Sequence, residues 1–158
     1  MQRPFLNHFP WVGAALIFCV LLAAHAKIIC WSQAGQIDLA NLYSAIFGWA
    51  SIQTGFLFTV YGAITARKDG FLGAIERTSG MRFFKKVLAR AIFAGFFLSL
   101  SSVPLIVFPL TPEAFDFWYV VISAWFSLFL WAFLLFCRVA YTFGIISQVR
   151  DNTDLPAQ

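Results

Sequence analysis

Long apolar runs alternate with short polar stretches along this chain. Four runs, roughly residues 10–30, 41–66, 87–110 and 117–137, reach the length of about 20 apolar residues that a helix needs to cross a bilayer. In lipid every backbone polar group has to be paired within its own segment, which favours helices over strands. The pattern predicts an all-α integral membrane protein with four transmembrane helices in a compact bundle.

The composition agrees with this pattern. Of the 158 residues 61% are hydrophobic and only 11% are charged, whereas a soluble domain carries about 25% charged residues. We expect a single membrane domain over residues 1–158, with a loop at 67–86 and a polar tail at 147–158. Pro104 and Pro109 predict a kink or an early end of the third helix, because proline removes a backbone donor.

The first run has a second interpretation as a cleavable signal peptide. Arg3, the apolar core at 11–22 and the small residues around His25 fit that pattern. The apolar run nevertheless continues through residues 28–31, beyond the point of cleavage. We therefore expect the segment to be retained as the first membrane span.

Basic residues are concentrated in one connection, and this sets the predicted direction of the chain. Residues 67–90 hold seven of the eleven lysines and arginines. Because loops rich in Lys and Arg stay in the cytoplasm, we expect both termini and the 67–86 loop on that side. The candidate contacts for a cytosolic partner or for lipid headgroups are Arg67, Lys68, Arg77, Arg82, Lys85, Lys86 and Arg90.

Small residues recur on one face of the second run. Successive helix residues rotate by about 100°, which places six small residues within an arc of about 80°. Close backbone approach through small residues drives helix packing in membranes. We expect this face to form a helix-packing seam in the bundle, with a seam between copies as the alternative. Its members, called here the small-residue face, are Ser44, Gly48, Ser51, Gly55, Thr59 and Gly62.

A single amide, Gln53, lies roughly opposite the small-residue face. An amide that faces lipid leaves its polar atoms unpaired, which is costly. Two interpretations stay open. Gln53 makes one interhelical hydrogen bond worth about 1 kcal/mol, or it faces a subunit contact or a central lumen in a homo-oligomer.

Residues with catalytic or ligand-binding chemistry are sparse. No Asp or Glu lies within the four runs, although proton-coupled transport usually relies on an intramembrane carboxylate. The three cysteines form no C-x-x-C pair, and His8 and His25 are the only histidines. No phosphate-binding loop or nucleophile elbow is present. We expect no enzyme activity, catalytic residue, cofactor or metal.

Residues 50–99 contain a G-F-L motif at residue 55, a charged loop with an F-L pair at residue 71, and F-x-K-x-L at residue 84. In these features the chain resembles small four-span membrane proteins of bacterial antiphage defence systems, and most of all the membrane subunit of the Kiwa system. The resemblance implies a homo-oligomeric protein of the bacterial inner membrane. Such a protein detects phage-induced membrane disturbance and holds a cytosolic DNA-binding effector.

Three function classes follow, in decreasing order of support. The first is a non-enzymatic sensor or anchor, whose partners are copies of itself (a tetramer being one arrangement), a cytosolic effector and lipids, with no direct nucleic-acid contact. The second is a pore-forming or membrane-permeabilising effector, and the third is a small transporter or membrane enzyme. The pore interpretation relies on Gln53 and on a polar face of the fourth run. That face comprises Asp116, Ser123, Ser127, Arg138 and Tyr141.

Overall fold

The computed structural model describes residues 5–66, 79–108 and 115–151, and their side chains over 9–65, 80–108 and 115–145. Within these ranges the chain forms helices joined by short connections and contains no strand. The helices, renumbered in chain order, are α1 Phe5–Ala23, α2 His25–Gln33, α3 Leu39–Ala66, α4 Ser79–Val107 and α5 Phe117–Asp151.

Two helices are long and apolar enough to span a membrane: α4 over Gly80–Val107 and α5 over Phe117–Ile145. The bent pair Phe9–Ala23 and His25–Gln33 counts as a third if it forms one span. The protein is therefore an all-helical membrane protein with two or three candidate spans in the described part of the chain. Helix α3 has 28 residues but is not one of these candidate spans. Its amide, hydroxyls and glycines lower its mean hydropathy.

The first predicted span is broken in its second half. Helices α1 and α2 meet at Ala24 at an angle of 67°. The imidazole Nδ1 of His25 donates to the Leu22 carbonyl oxygen at 3.0 Å, so a side chain enters the backbone hydrogen-bond ladder here. Such an insertion is an established cause of sharp kinks. The prediction of one continuous helix over 10–30 is corrected accordingly.

Other predicted boundaries also move. Helix α4 begins at Ser79, so the last eight residues of the loop predicted at 67–86 are helical, and residues 67–78 lie outside the described residues. The helix continues through Pro104 and ends at Val107, whereas Pro109 lies outside the described residues. Helix α5 extends to Asp151, into the predicted polar tail at 147–158.

The helices pack side by side in the order α3, α4, α5 and α1, called here the helix row. Helix α3 packs along α4, α5 packs against α4 and α1, and α3 also contacts α5 less extensively. The core between them is apolar and aromatic, with Tyr43 and Leu57 from α3, Leu88 and Leu98 from α4, and Val139 from α5 all fully buried. Helix α5 is thus the element to which both the α3–α4 pair and α1 are attached.

Candidate functional site

The small-residue face of α3 points away from the other described helices. Five of its six members are exposed, and Gly48 is partly exposed. A Cβ atom added at Gly48, Gly55 or Gly62 would meet no described heavy atom within 4 Å. The helix partner expected within the bundle is therefore not found among the described residues. The alternative, a seam between copies, stays a prediction.

Hydroxyl groups on this face are satisfied by the helix itself. Ser51 donates to the Phe47 carbonyl oxygen at 2.9 Å, and Thr59 donates to the Gly55 carbonyl oxygen at 3.0 Å. Serine and threonine commonly bond back to the preceding turn in this way. The face therefore offers small side chains and close backbone access without unpaired hydroxyl donors at these two positions.

Close approach between helices of the same chain uses other glycines. A Cβ atom added at Gly95 of α4 would lie 2.5 Å from Thr54 Oγ1 of α3, and one added at Gly13 would lie 2.7 Å from Leu134 Cδ1. Thr54 Oγ1 donates to the Ala50 carbonyl oxygen at 2.7 Å, which fixes the side chain against Gly95. The sequence signal for this contact is the recurrence of small residues at helical spacing in the third run, at Ala91, Gly95, Ser99 and Ser102.

Gln53 lies in the interior of the helix row, with 1% of its surface exposed. Its Nε2 donates to the Ala132 carbonyl oxygen of α5 at 3.2 Å, and its Oε1 is buried without a hydrogen-bond partner among the described residues. This geometry is the interhelical hydrogen bond of the first interpretation. A side chain covered by helices of its own chain does not line a lumen between copies.

The polar face predicted along the fourth span is divided among separate local roles. Asp116 Oδ1 accepts the Tyr119 backbone N–H at 3.0 Å, as an N-cap residue does. Ser123 and Ser127 are buried, and the Ser127 hydroxyl donates to the Ser123 carbonyl oxygen at 2.8 Å. Tyr141 lies exposed near the other end of the helix. These residues form no continuous polar path in the described chain.

Basic residues project from the first turns of α4. Arg82, Lys86 and Arg90 are exposed and follow one another at intervals of four residues, so they form a stripe along one side of the helix. We call these three residues the basic stripe. Lys85 beside it is partly buried, and the residues predicted at 67, 68 and 77 lie outside the described residues.

A further cation on α5 lies at the same end of the row. The guanidinium carbon of Arg138 lies 5.0 Å from the centroid of the Phe83 ring, within the range of a cation–π contact. Buried Met81, Phe84 and Val87 hold this end of α4 on the core. Arg138 and the basic stripe therefore lie at the same end of the helix row.

At the opposite end of the row, the bent pair of α1 and α2 contacts the start of α5. The Tyr119 hydroxyl of α5 donates to the Leu21 carbonyl oxygen at 2.6 Å, and the His25 ring lies 4.9 Å from the Phe115 ring. A small cavity of about 50 Å³ lies beside these contacts. Its wall includes Leu21, Ile28, Tyr119, Ile122, Ser123 and Phe126.

The described residues contain no group of three His, Cys, Asp or Glu side chains placed to hold a metal ion. Comparisons with protein-family models, with curated proteins and with solved structures found no match. The fold and surfaces define the class of α-helical membrane proteins. They leave two features for a functional proposal, the open small-residue face and the basic stripe.

Proposed function

We propose that this chain is a self-associating, multi-pass subunit of the bacterial inner membrane that anchors a cytosolic effector. The open small-residue face of α3 is the observation that carries the proposal. From Ser44 to Gly62 it extends over 18 residue steps, about 27 Å along a helix, close to the hydrocarbon thickness of about 30 Å. The face is long enough for a partner helix to follow it across most of the bilayer.

The neighbours of the face favour a second copy as this partner. Ile52 and Phe58 flank the face on the helix wheel, and 76% and 54% of their surfaces are exposed. A surface that places bulky side chains beside a strip of small ones is complementary to itself. Two copies can then set each other's flanking residues over the small strip, with their backbones in close approach.

The proposed anchor function rests on the basic end of the row. The basic stripe of Arg82, Lys86 and Arg90 is exposed and adjoins the connection that carries three more basic residues. Positive charge at this end favours the cytoplasmic side of the membrane. An effector with an acidic surface would be attracted to this end and oriented on it. The resemblance to antiphage membrane subunits supports a defence role in which membrane disturbance is sensed.

Self-association is tested by replacing a small residue with a bulky one. We expect the wild-type protein to be an oligomer by light scattering in mild detergent, and Gly55→Leu to lower its mass towards that of one chain. Gly144→Leu is the matched control, because Gly144 is also exposed and has no described atom within 4 Å of an added Cβ. A wild-type monomer, or an oligomer that Gly55→Leu leaves unchanged, would contradict the proposal.

The anchor function is tested by reversing charge at the basic end. We expect a tagged protein to co-purify with a stoichiometric cytosolic protein, and the double variant Arg82→Glu and Lys86→Glu to lose it. Lys27→Glu is the control, since Lys27 is exposed on α2 at the opposite end of the row. Equal co-purification of the partner with the wild type, the double variant and Lys27→Glu would show that the basic stripe does not bind the partner. Dye release on induction without any partner would favour a permeabilising effector instead.

A further inference from the structure

An apolar groove lies on the side of α5 between α1 and α4. Both helices pack against α5, and they share no extensive contact with each other. One cleft of about 390 Å³ opens between α1 and α5, and another of about 400 Å³ opens between α4 and α5. Leu128 and Trp131 of α5 line both clefts, so the two clefts adjoin the same part of α5. We call the combined feature the α1–α4 groove.

Each helix contributes one face to this groove. Trp11, Ala15 and Phe18 of α1 are spaced four and three residues apart, and so are Arg90, Ala94 and Phe97 of α4. Residues at these spacings share one side of a helix. The groove therefore follows the helix axes over about two turns, roughly 10 Å, and its wall is aromatic and aliphatic.

Arg90 is the one charged side chain among the described residues that line the two clefts. A charge beside an apolar, membrane-facing groove is costly unless it meets an anion or reaches the interface. Helix Cα–Cβ bonds tilt towards the N-terminus, and the N-terminal end of α4 is the basic end of the row. The Cα–Cβ bond of Arg90 therefore tilts towards the basic end of the row, from which a long side chain can reach lipid headgroups.

We propose that the α1–α4 groove binds an anionic phospholipid. An acyl chain fills the apolar clefts over Leu128 and Trp131, and its phosphate meets Arg90. Guanidinium groups match phosphate oxygens through paired hydrogen bonds, so Arg90 supplies the charge complement to the headgroup. Phe93 and Phe97, exposed on α4 three and seven residues beyond Arg90, border the path of the acyl chain. The site does not involve the small-residue face and does not depend on self-association.

Native mass spectrometry of the detergent-purified full chain tests this site. Phosphatidylglycerol and phosphatidylcholine with identical acyl chains are added in turn as probes. We expect phosphatidylglycerol to be retained about fivefold more than phosphatidylcholine, the ratio that one basic side chain supplies at an anionic headgroup. Equal retention of the two lipids, or retention of neither, would overturn the proposal.

Two matched pairs of variants locate the site. Arg90→Gln should remove the preference for phosphatidylglycerol, whereas Arg82→Gln, which removes the same charge outside the groove, should keep it. Ala15→Phe should fill the cleft and lower retention of both lipids, whereas Ala63→Phe, at an exposed alanine of α3, should not.

Three outcomes of these variants would contradict the site. Equal effects of Arg90→Gln and Arg82→Gln would reduce the preference to general surface charge. Lipid retention that Ala15→Phe leaves unchanged would place the lipid elsewhere. A change of oligomer mass in Ala15→Phe without bound lipid would assign the groove to a second copy. If Ala15→Phe fails to fold, the Arg90 pair still decides the proposal.

Discussion

The two sides of α3 use similar residues for different purposes. On the inner side Thr54 lies against Gly95 of α4, at a distance that leaves no room for a Cβ atom, and Gln53 bonds to the backbone of α5. On the outer side Gly48, Gly55 and Gly62 face open space. A glycine in a membrane helix therefore indicates a packing contact within the chain only when the atoms next to it are known. Here the inner contact holds the chain together, and the outer face is available to another molecule.

The largest expected effect is at Gly95. Gly95→Ala should lower the free energy of unfolding by about 1–3 kcal/mol, because the new methyl group overlaps Thr54 Oγ1 in a packed interface. The measurement is thermal unfolding in detergent followed by circular dichroism. Gly144→Ala is the control, because Gly144 is exposed, lies outside both faces of α3 and has no described atom within 4 Å of an added Cβ, so this variant should lose no stability. Equal losses in the two variants would show that the loss does not come from the contact between Gly95 and Thr54.

A smaller effect is expected at Gln53. Gln53→Leu removes an interhelical hydrogen bond of about 0.6–1 kcal/mol, but it also removes a buried oxygen that has no partner among the described residues. We therefore expect the free energy of unfolding to change by less than about 1 kcal/mol. The oligomer mass should stay the same, since the side chain is covered within its own chain. A change in oligomer mass would show instead that Gln53 contributes to a contact between subunits.

The smallest effect on folding is expected at Gly62. Gly62→Ala should leave the free energy of unfolding of one chain within about 0.5 kcal/mol, because no described atom lies near the added carbon. Dissociation of the oligomer, measured by dilution in detergent, should nevertheless shift to higher protein concentration. A shift in chain stability without a shift in dissociation would reverse the roles assigned to the two faces of α3.

The sequence predicts most of α4 and α5 because long uninterrupted apolar runs have few alternatives to helix in a membrane. The start of α4 at Ser79 was missed, since Arg82 and Lys86 look like loop residues until Met81, Phe84 and Val87 are seen to be buried. Hydropathy identifies the apolar part of a helix, but it does not identify an end in which charged and apolar residues are mixed. The helix length predicted from hydropathy is therefore too short. The predicted loop was too long for this reason.

Two other features depend on tertiary contacts that a sequence pattern does not contain. The bend at Ala24 accompanies a local bond from His25 to Leu22 and a bond from Tyr119 to Leu21, two residues that lie 98 positions apart in the chain. The direction of the small-residue face depends on which side of α3 receives Gly95. Periodicity identifies a surface suited to close approach, but it does not identify the partner.

The length of α5 has a mechanical consequence. Its 35 residues extend about 52 Å, whereas the hydrocarbon core is about 30 Å thick, so a substantial part of the helix projects beyond the core. A bilayer that thins or thickens changes the tilt of the helices that span it. Because displacement grows with distance from the pivot, a given change of tilt moves the projecting end of such a long helix further sideways than it moves the part within the core.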